Sequence, residues 1–166
     1  MTKAVEAYGE ALKERTRERD PLQWADMQDS LGTALQSLGE REGSIEMLQK
    51  AVGTFGEALK ERTRERAPLD WGMTQYNLGN ALASLGERES GTETLQKAVE
   101  AYGEALKEWT EEATPDLHSM AQNNLDKANA LLAHAPTISR RYGLSAWTSC
   151  GARPQYVRVI CSAHVL

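Results

Sequence analysis

Cysteine is scarce in this chain: Cys150 and Cys161 are the only two in 166 residues, and both lie near the carboxyl end. That argues against a small secreted domain built on a disulfide framework. Long apolar runs are missing too, since none approaches the roughly 20 residues that a membrane-spanning helix needs. The amino-terminal MTKAVEAYGEALKE turns charged at once and has no apolar core for a secretory signal. A cytoplasmic location, with no membrane contact, is the expectation. Positive charge is the minority sign, 19 Lys plus Arg against 24 Asp plus Glu, for a net charge of -5. A protein that neutralises phosphates would lean the other way, so no nucleic-acid partner is expected.

Catalytic signatures are absent as well. The three histidines, His118, His134 and His164, form no helical pair facing one way. There is no Gly-rich phosphate loop, HExxH or nucleophile elbow. Asp116 and His118 flank Leu117, but no serine or cysteine is placed to use them, and the adjacent Ser119 would point elsewhere. Cys150, Cys161 and His164 match no common zinc spacing and lack a fourth ligand. No catalytic residue, metal or cofactor is assigned, and the chain is not expected to be an enzyme.

What the chain has instead is repetition. Residues 4–50 and 51–97 are identical at 31 of 47 positions, and a third copy begins at Ala98 and breaks off near Ala133. A period of this length points to stacked units, each too small to bury its own apolar face. Pro21, Pro68 and Pro115 recur at one register, as expected of a residue tolerated in a helix's first turn. After Pro68, Trp71, Leu78, Ala81, Leu82 and Leu85 form a stripe at helical spacing that ends at Gly86. The polar ERES follows, with Ser90 as the candidate N-cap of a second helix. That helix carries Leu95, Val99, Tyr102, Leu106 and Trp109 as its apolar seam; one unit earlier the seam is Leu48, Val52, Phe55 and Leu59. Almost nothing reads as strand. The fold class expected is all-α, an α-solenoid of about six antiparallel helices with a 47-residue period.

The ten-mer EALKERTRER occurs at 10–19 and 57–66. It is expected to form the carboxyl half of each long second helix. Glu57 with Lys60 and Glu61 with Arg64 would pair on one face, and Arg64 and Arg66 would complement the dipole in the last turn. The third copy, EALKEWTEEA, loses the arginines, which favours a solvated helix face over a phosphate-binding strip.

The run YNLGNALASLG (76–86), followed by Leu95 and Ala98, resembles the tetratricopeptide repeat. Leu78-Gly79, Leu82 and Gly86 match that family's first helix and turn, as do Leu31-Gly32, Leu35 and Gly39. Gly79 would permit close approach of the two helices. Ser44 and Gly91 stand where the family usually has a small alanine on the second helix. The long period is similar to the extended variety of kinesin light chains and to long bacterial arrays, with about three extra turns expected in the second helix. The third first-helix departs from the pattern: Asp126 replaces the close-packing Gly, Asn129 replaces a seam Leu, and His118 stands where Trp24 and Trp71 stood.

The resemblance implies a non-catalytic scaffold or adaptor that holds a partner peptide or protein segment in the concave face of the first helices. Carried over position by position, that face comprises Asp26, Asp29, Thr33 and Ser37, then Met73, Tyr76, Asn77, Asn80 and Ser84, then Met120, Asn123, Asn124 and Lys127. All lie off the apolar stripe and are expected to be exposed. The asparagines offer donor and acceptor to an extended main chain. Asp26 and Asp29 would favour a basic stretch of ligand at one end, and Lys127 an acid at the other. A clamp for a terminal carboxylate has no counterpart, since one such register holds Asp29, Tyr76 and Asn123. The alternatives are a self-assembling segment that stacks end to end, or a piece of a larger signalling or peptidase protein.

The domain division expected is a repeat domain over 1–133 and a basic, poorly ordered tail over 134–166. Residues 136–166 contain four arginines and no Asp or Glu, which leaves the preceding part at -9.

Overall fold

The computed structural model describes residues 2–141, with side chains from 3 to 134, and these form six α-helices and no strand. They are α1 (Thr2–Glu14), α2 (Pro21–Glu42), α3 (Ile45–Ala58), α4 (Pro68–Glu89), α5 (Thr92–Glu108) and α6 (Pro115–Arg141). Residues up to Ala133 make one compact unit. It is an all-α repeat solenoid in which α2 packs on α3, α3 on α4 and α4 on α5, while the first helices α2 and α4 also touch. Cys150, Cys161, His164 and the YVRVIC segment lie outside the described residues.

The prolines open the first helices as expected. Pro21 and Pro68 occupy the first turn of α2 and α4, and the residues before them, Asp20 and Ala67, lie outside the helical region, at φ −149° and −152°. Asp20 also caps α2 by accepting from the Gln23 amide. The far ends close differently from the expectation. Ser90 is not the N-cap of the second helix; it ends α4 in the left-handed region at φ 52°, where Gly43 ends α2 at φ 66°. Nor do Ser44 and Gly91 sit within second helices, since they occupy the N-cap positions of α3 and α5. Ser44 accepts from the Met47 amide, and Gly91 has no side chain with which to do so.

The helix pairs close on glycine. A Cβ built on Gly32 would lie 2.7 Å from the Phe55 ring, and one on Gly79 would lie 2.7 Å from the Tyr102 ring. The seam of the second helices is made by smaller residues than expected: Leu48, Ala51, Phe55 and Ala58 are buried in α3, and Leu95, Ala98, Ala101, Tyr102 and Ala105 in α5. Val52, Val99, Leu59 and Leu106 are only half-buried on the flank. Alanine on the contact line lets each second helix approach the glycine-bearing first helix, with Phe55 and Tyr102 filling the gap, while Trp109, expected in the seam, is fully buried just beyond α5 against Gly72.

EALKERTRER is not the carboxyl half of a long helix. Helices α1, α3 and α5 stop at Glu14, Ala58 and Glu108, and the remaining residues form the connectors. A helix continued to Arg66 would leave Ala67 alone to reverse the chain before Pro68, whereas such reversals need about 2–5 residues. The connector turns on Thr63, whose carbonyl accepts from the amides of Arg66 and Ala67; Thr16 plays the same part for Arg19 and Asp20. Its arginines join neighbouring connectors. Arg17 pairs with Glu61 and lies 5.5 Å from the Trp24 ring centroid. One repeat later Arg64 pairs with Glu108 and lies 5.8 Å from the Trp71 centroid. Glu61 therefore meets Arg17 and Arg66, not Arg64. In the third copy Glu111 and His118 occupy the arginine and tryptophan positions.

Candidate functional site

The polar residues of the first helices bind one another before they can bind anything else. Asn77 donates from Nδ2 to Asp29 Oδ2 at 3.2 Å. The equivalent residue one repeat on, Asn124, donates to the Tyr76 hydroxyl and to Asn80 Oδ1, each at 2.9 Å. Ser84 donates to Glu40 Oε1 at 2.7 Å, and Arg88 to the Glu40 carbonyl at 3.0 Å. These partners are 44 or 48 residues apart. On a 47-residue period, the bonds therefore reach one or other of two positions, one helical turn apart, on the neighbouring first helix, and Asn124 reaches both. The strip is a ladder joining α2 to α4 and α4 to α6.

The site residues expected from the sequence consequently divide. Asp26, Thr33, Met120, Asn123 and Lys127 are exposed, whereas Asp29, Met73, Tyr76, Asn77, Asn80 and Asn124 are half-buried. Met73 and Tyr76 pack against the cluster of Ala105, Trp109 and Ala121. The Tyr76 ring is 5.8 Å from that of Tyr102 and 5.5 Å from that of Trp109. Neither is a free contact side chain, and the exposure expected of all the groove positions does not hold for these six, nor for Ser37 and Ser84, which are half-buried as well. The Thr33 hydroxyl is turned back onto the Asp29 carbonyl at 3.0 Å.

The acidic end of the face is also occupied. Arg62, 9% exposed, reaches from the connector and donates to Asp26 Oδ1 at 2.8 Å and to Thr74 Oγ1 at 2.7 Å, and lies 3.4 Å from Asp29 Oδ1. Burial pushes the Asp29 carboxyl above its ordinary value, against the pull of Arg62. Asp26 and Asp29 thus have an internal cation, and a basic ligand is not needed to neutralise them.

Free polar groups collect about two turns further along the first helices. A hollow of about 300 Å³ is lined by Gln36 and Glu40 of α2, Asn80, Ser84 and Glu87 of α4, Tyr102 of α5, and Asn124, Lys127 and Leu131 of α6. Tyr102 donates to Asn80 Oδ1 at 2.8 Å, and burial, followed by Tyr76, Glu40 and Glu87, raises its phenol pKa so that it remains a donor. Glu40 and Glu87 were not among the expected site residues. Both stand in the repeated GERE of the helix ends, which reads as part of a turn; their recurrence at one register was the available signal. Among the described residues no three metal-ligating side chains converge, and no helix is long and apolar enough to cross a membrane.

Two family models, each described as tetratricopeptide repeat, match residues 24–62 and 74–104, which take in most of the α2–α3 and α4–α5 pairs. No curated protein and no solved structure matches the chain.

Proposed function

The chain is a tetratricopeptide-repeat protein, a class whose repeats generally mediate contacts between proteins, and we propose that it is a scaffold without chemistry of its own that holds an extended segment of a partner on the face of α2, α4 and α6. The observation that carries this reading is the hollow shared by those three helices, where polar groups remain after the ladder has taken its share. Among the described residues Lys127 has only a 3.5 Å contact to Asn124 Oδ1 and joins no ion pair. The exposed Asn123 and Asp26 extend the face on either side. Asn77, Asn124 and Tyr76 serve it as supports, fixing the spacing of the first helices. A cytoplasmic location belongs to the same reading and draws support from the scarcity of cysteine.

End-to-end stacking of a second copy gains no support from this geometry. Docking α1 after α6 would set Tyr8, the counterpart of Phe55 and Tyr102, against Asp126, the counterpart of Gly32 and Gly79. At both of those glycines even a Cβ comes within 2.7 Å of the ring.

The test is a random-peptide array probed with the full chain and with a Glu87→Ala, Lys127→Ala variant, both positions being exposed. Peptides bound by the wild type and lost by the variant are the expected result. An identical set bound by both would remove the hollow from the interaction.

A further inference from the structure

We infer that the hollow reads a cationic side chain, lysine or arginine, of the bound segment, with Glu40 and Glu87 as the residues that select it. This rests on the reading that the first-helix face holds a polypeptide. Glu40 and Glu87 occupy the same position in successive repeats and line one hollow from the neighbouring helices α2 and α4. Both are close enough to the Tyr102 hydroxyl to bear on its titration, behind the larger effects of burial and Tyr76.

Their bonding leaves carboxylate capacity unused. Glu40 is fixed through one oxygen: Oε1 accepts from Ser84 at 2.7 Å and from Gln36 at 2.9 Å, while Oε2 has no partner among the described residues. Glu87 makes no hydrogen bond or ion pair with any of the described residues. Lys127 lines the same hollow, yet no ion pair joins it to either carboxylate, so the lining carries two negative charges against one positive. An acidic ligand would meet that excess, whereas a cation would relieve it. Carboxylates held in place before binding also lose less freedom on engagement than mobile ones.

A neighbouring donor suggests how the rest of the segment is held. Asn80 Oδ1 is taken by Tyr102 and by Asn124, which leaves the Asn80 amide nitrogen at the same hollow without a partner among the described residues. It can donate to a main-chain carbonyl beside the cationic residue. The ligand is thus an extended segment presenting a basic side chain next to an acceptor, and the two carboxylates rather than Lys127 set its preference.

The experiment uses the full chain and degenerate peptide pools with random flanks, the central position being lysine, arginine, norleucine or glutamate, read by fluorescence anisotropy. The lysine and arginine pools are expected to bind roughly 10-fold or more tightly than the norleucine pool, as charge-assisted hydrogen bonds allow. Glu87→Gln, which breaks no bond among the described residues, and Glu40→Gln with Glu87→Gln should flatten that preference. Glu87→Lys should shift the preference toward glutamate. Basic pools that bind no better than norleucine, or a preference that survives the double variant, overturn the inference and leave peptide binding standing. If no pool binds the wild type, the underlying reading falls and takes the inference with it.

Discussion

Arg62 and Trp109, one 47-residue period apart, fill the same gap in successive repeats with opposite chemistry. Around Arg62 stand Asp26, Asp29 and Thr74; around Trp109 stand their counterparts Met73, Tyr76 and Ala121. The whole set has changed from ionic to apolar between one junction and the next. One bond is common to both, because Asn77 donates to Asp29 as Asn124 donates to Tyr76. The replacement carries a cost: the buried Trp109 Nε1 finds no acceptor among the described residues. Each junction is self-consistent, and a residue taken from one does not suit the other.

Arg62→Ala should therefore lower stability by about 1–3 kcal/mol, since it leaves the half-buried Asp29 beside Thr74 without its cation. Arg62→Trp alone should be no better. Trp109 lies over Gly72, where a Cβ would come within 2.9 Å of Nε1, and the matching residue in the first junction is Ala25. Combining Arg62→Trp with Ala25→Gly, Asp26→Met, Asp29→Tyr and Thr74→Ala should recover most of the loss. Chemical denaturation of the three proteins checks this, and a fivefold variant no more stable than Arg62→Trp would show that the two junctions differ in more than these side chains.

How much of this was legible depends on whether a residue's role is local. Pro21 and Pro68 act on their own backbone, and Gly32 and Gly79 repeat at a fixed offset from Phe55 and Tyr102, so the helix pairs and their period could be read directly. Asn77 and Asn124 could not. A polar residue off the apolar stripe looks the same whether it faces water or the next first helix, and only the packed repeats distinguish these. EALKERTRER misled for another reason. Its residues favour helix strongly, and the need to reverse the chain before Pro68 overrides that preference. Arg62 sits in a strip of like residues, and nothing in its neighbours marks it as the one that is buried.

The glycines divide into two groups with opposite expected outcomes. Gly79→Ala drives a methyl into the Tyr102 ring, which its hydrogen bond to Asn80 holds in place, and should cost about 1–3 kcal/mol. Gly56 and Gly103, on the second helices, have nothing within 4 Å of a built Cβ. Alanine at either position should stabilise by about 0.5–1 kcal/mol through helix propensity alone. Thermal melts of the single variants test both directions, and a destabilising Gly103→Ala would mean that an unseen neighbour covers the second helices.

Asp29 should leave a mark on the pH dependence. Burial raises its carboxyl above the ordinary 3.8, with Arg62 opposing. The native protein then holds this proton more tightly than the unfolded chain. Its contribution is fully present below 3.8 and is lost as pH rises through the raised native value. Asp29→Asn removes the titration, so the stability of the wild type relative to the variant should fall as pH is raised from the acid side toward neutrality. A relative stability that grows with pH would mean that Arg62 outweighs burial.

The turn between the helices of each repeat contains the same two residues in opposite order, Gly43-Ser44 in the first copy and Ser90-Gly91 in the second. Order decides what each can do. The first position ends a helix in the left-handed region, which suits glycine and strains Ser90 at φ 52°. The second is an N-cap, where Ser44 accepts from the Met47 amide and Gly91 offers nothing. Ser90→Gly should remove the strain, worth about 1 kcal/mol, and Gly91→Ser should supply a cap worth a few tenths more, because glycine is itself a tolerable N-cap. The double variant should therefore melt higher than the wild type by nearly the sum of the two, since one change acts on the end of α4 and the other on the start of α5. The reverse exchange, Gly43→Ser with Ser44→Gly, should lower stability by a similar amount. If the first exchange destabilises, the second copy's order is being held by contacts outside the turn.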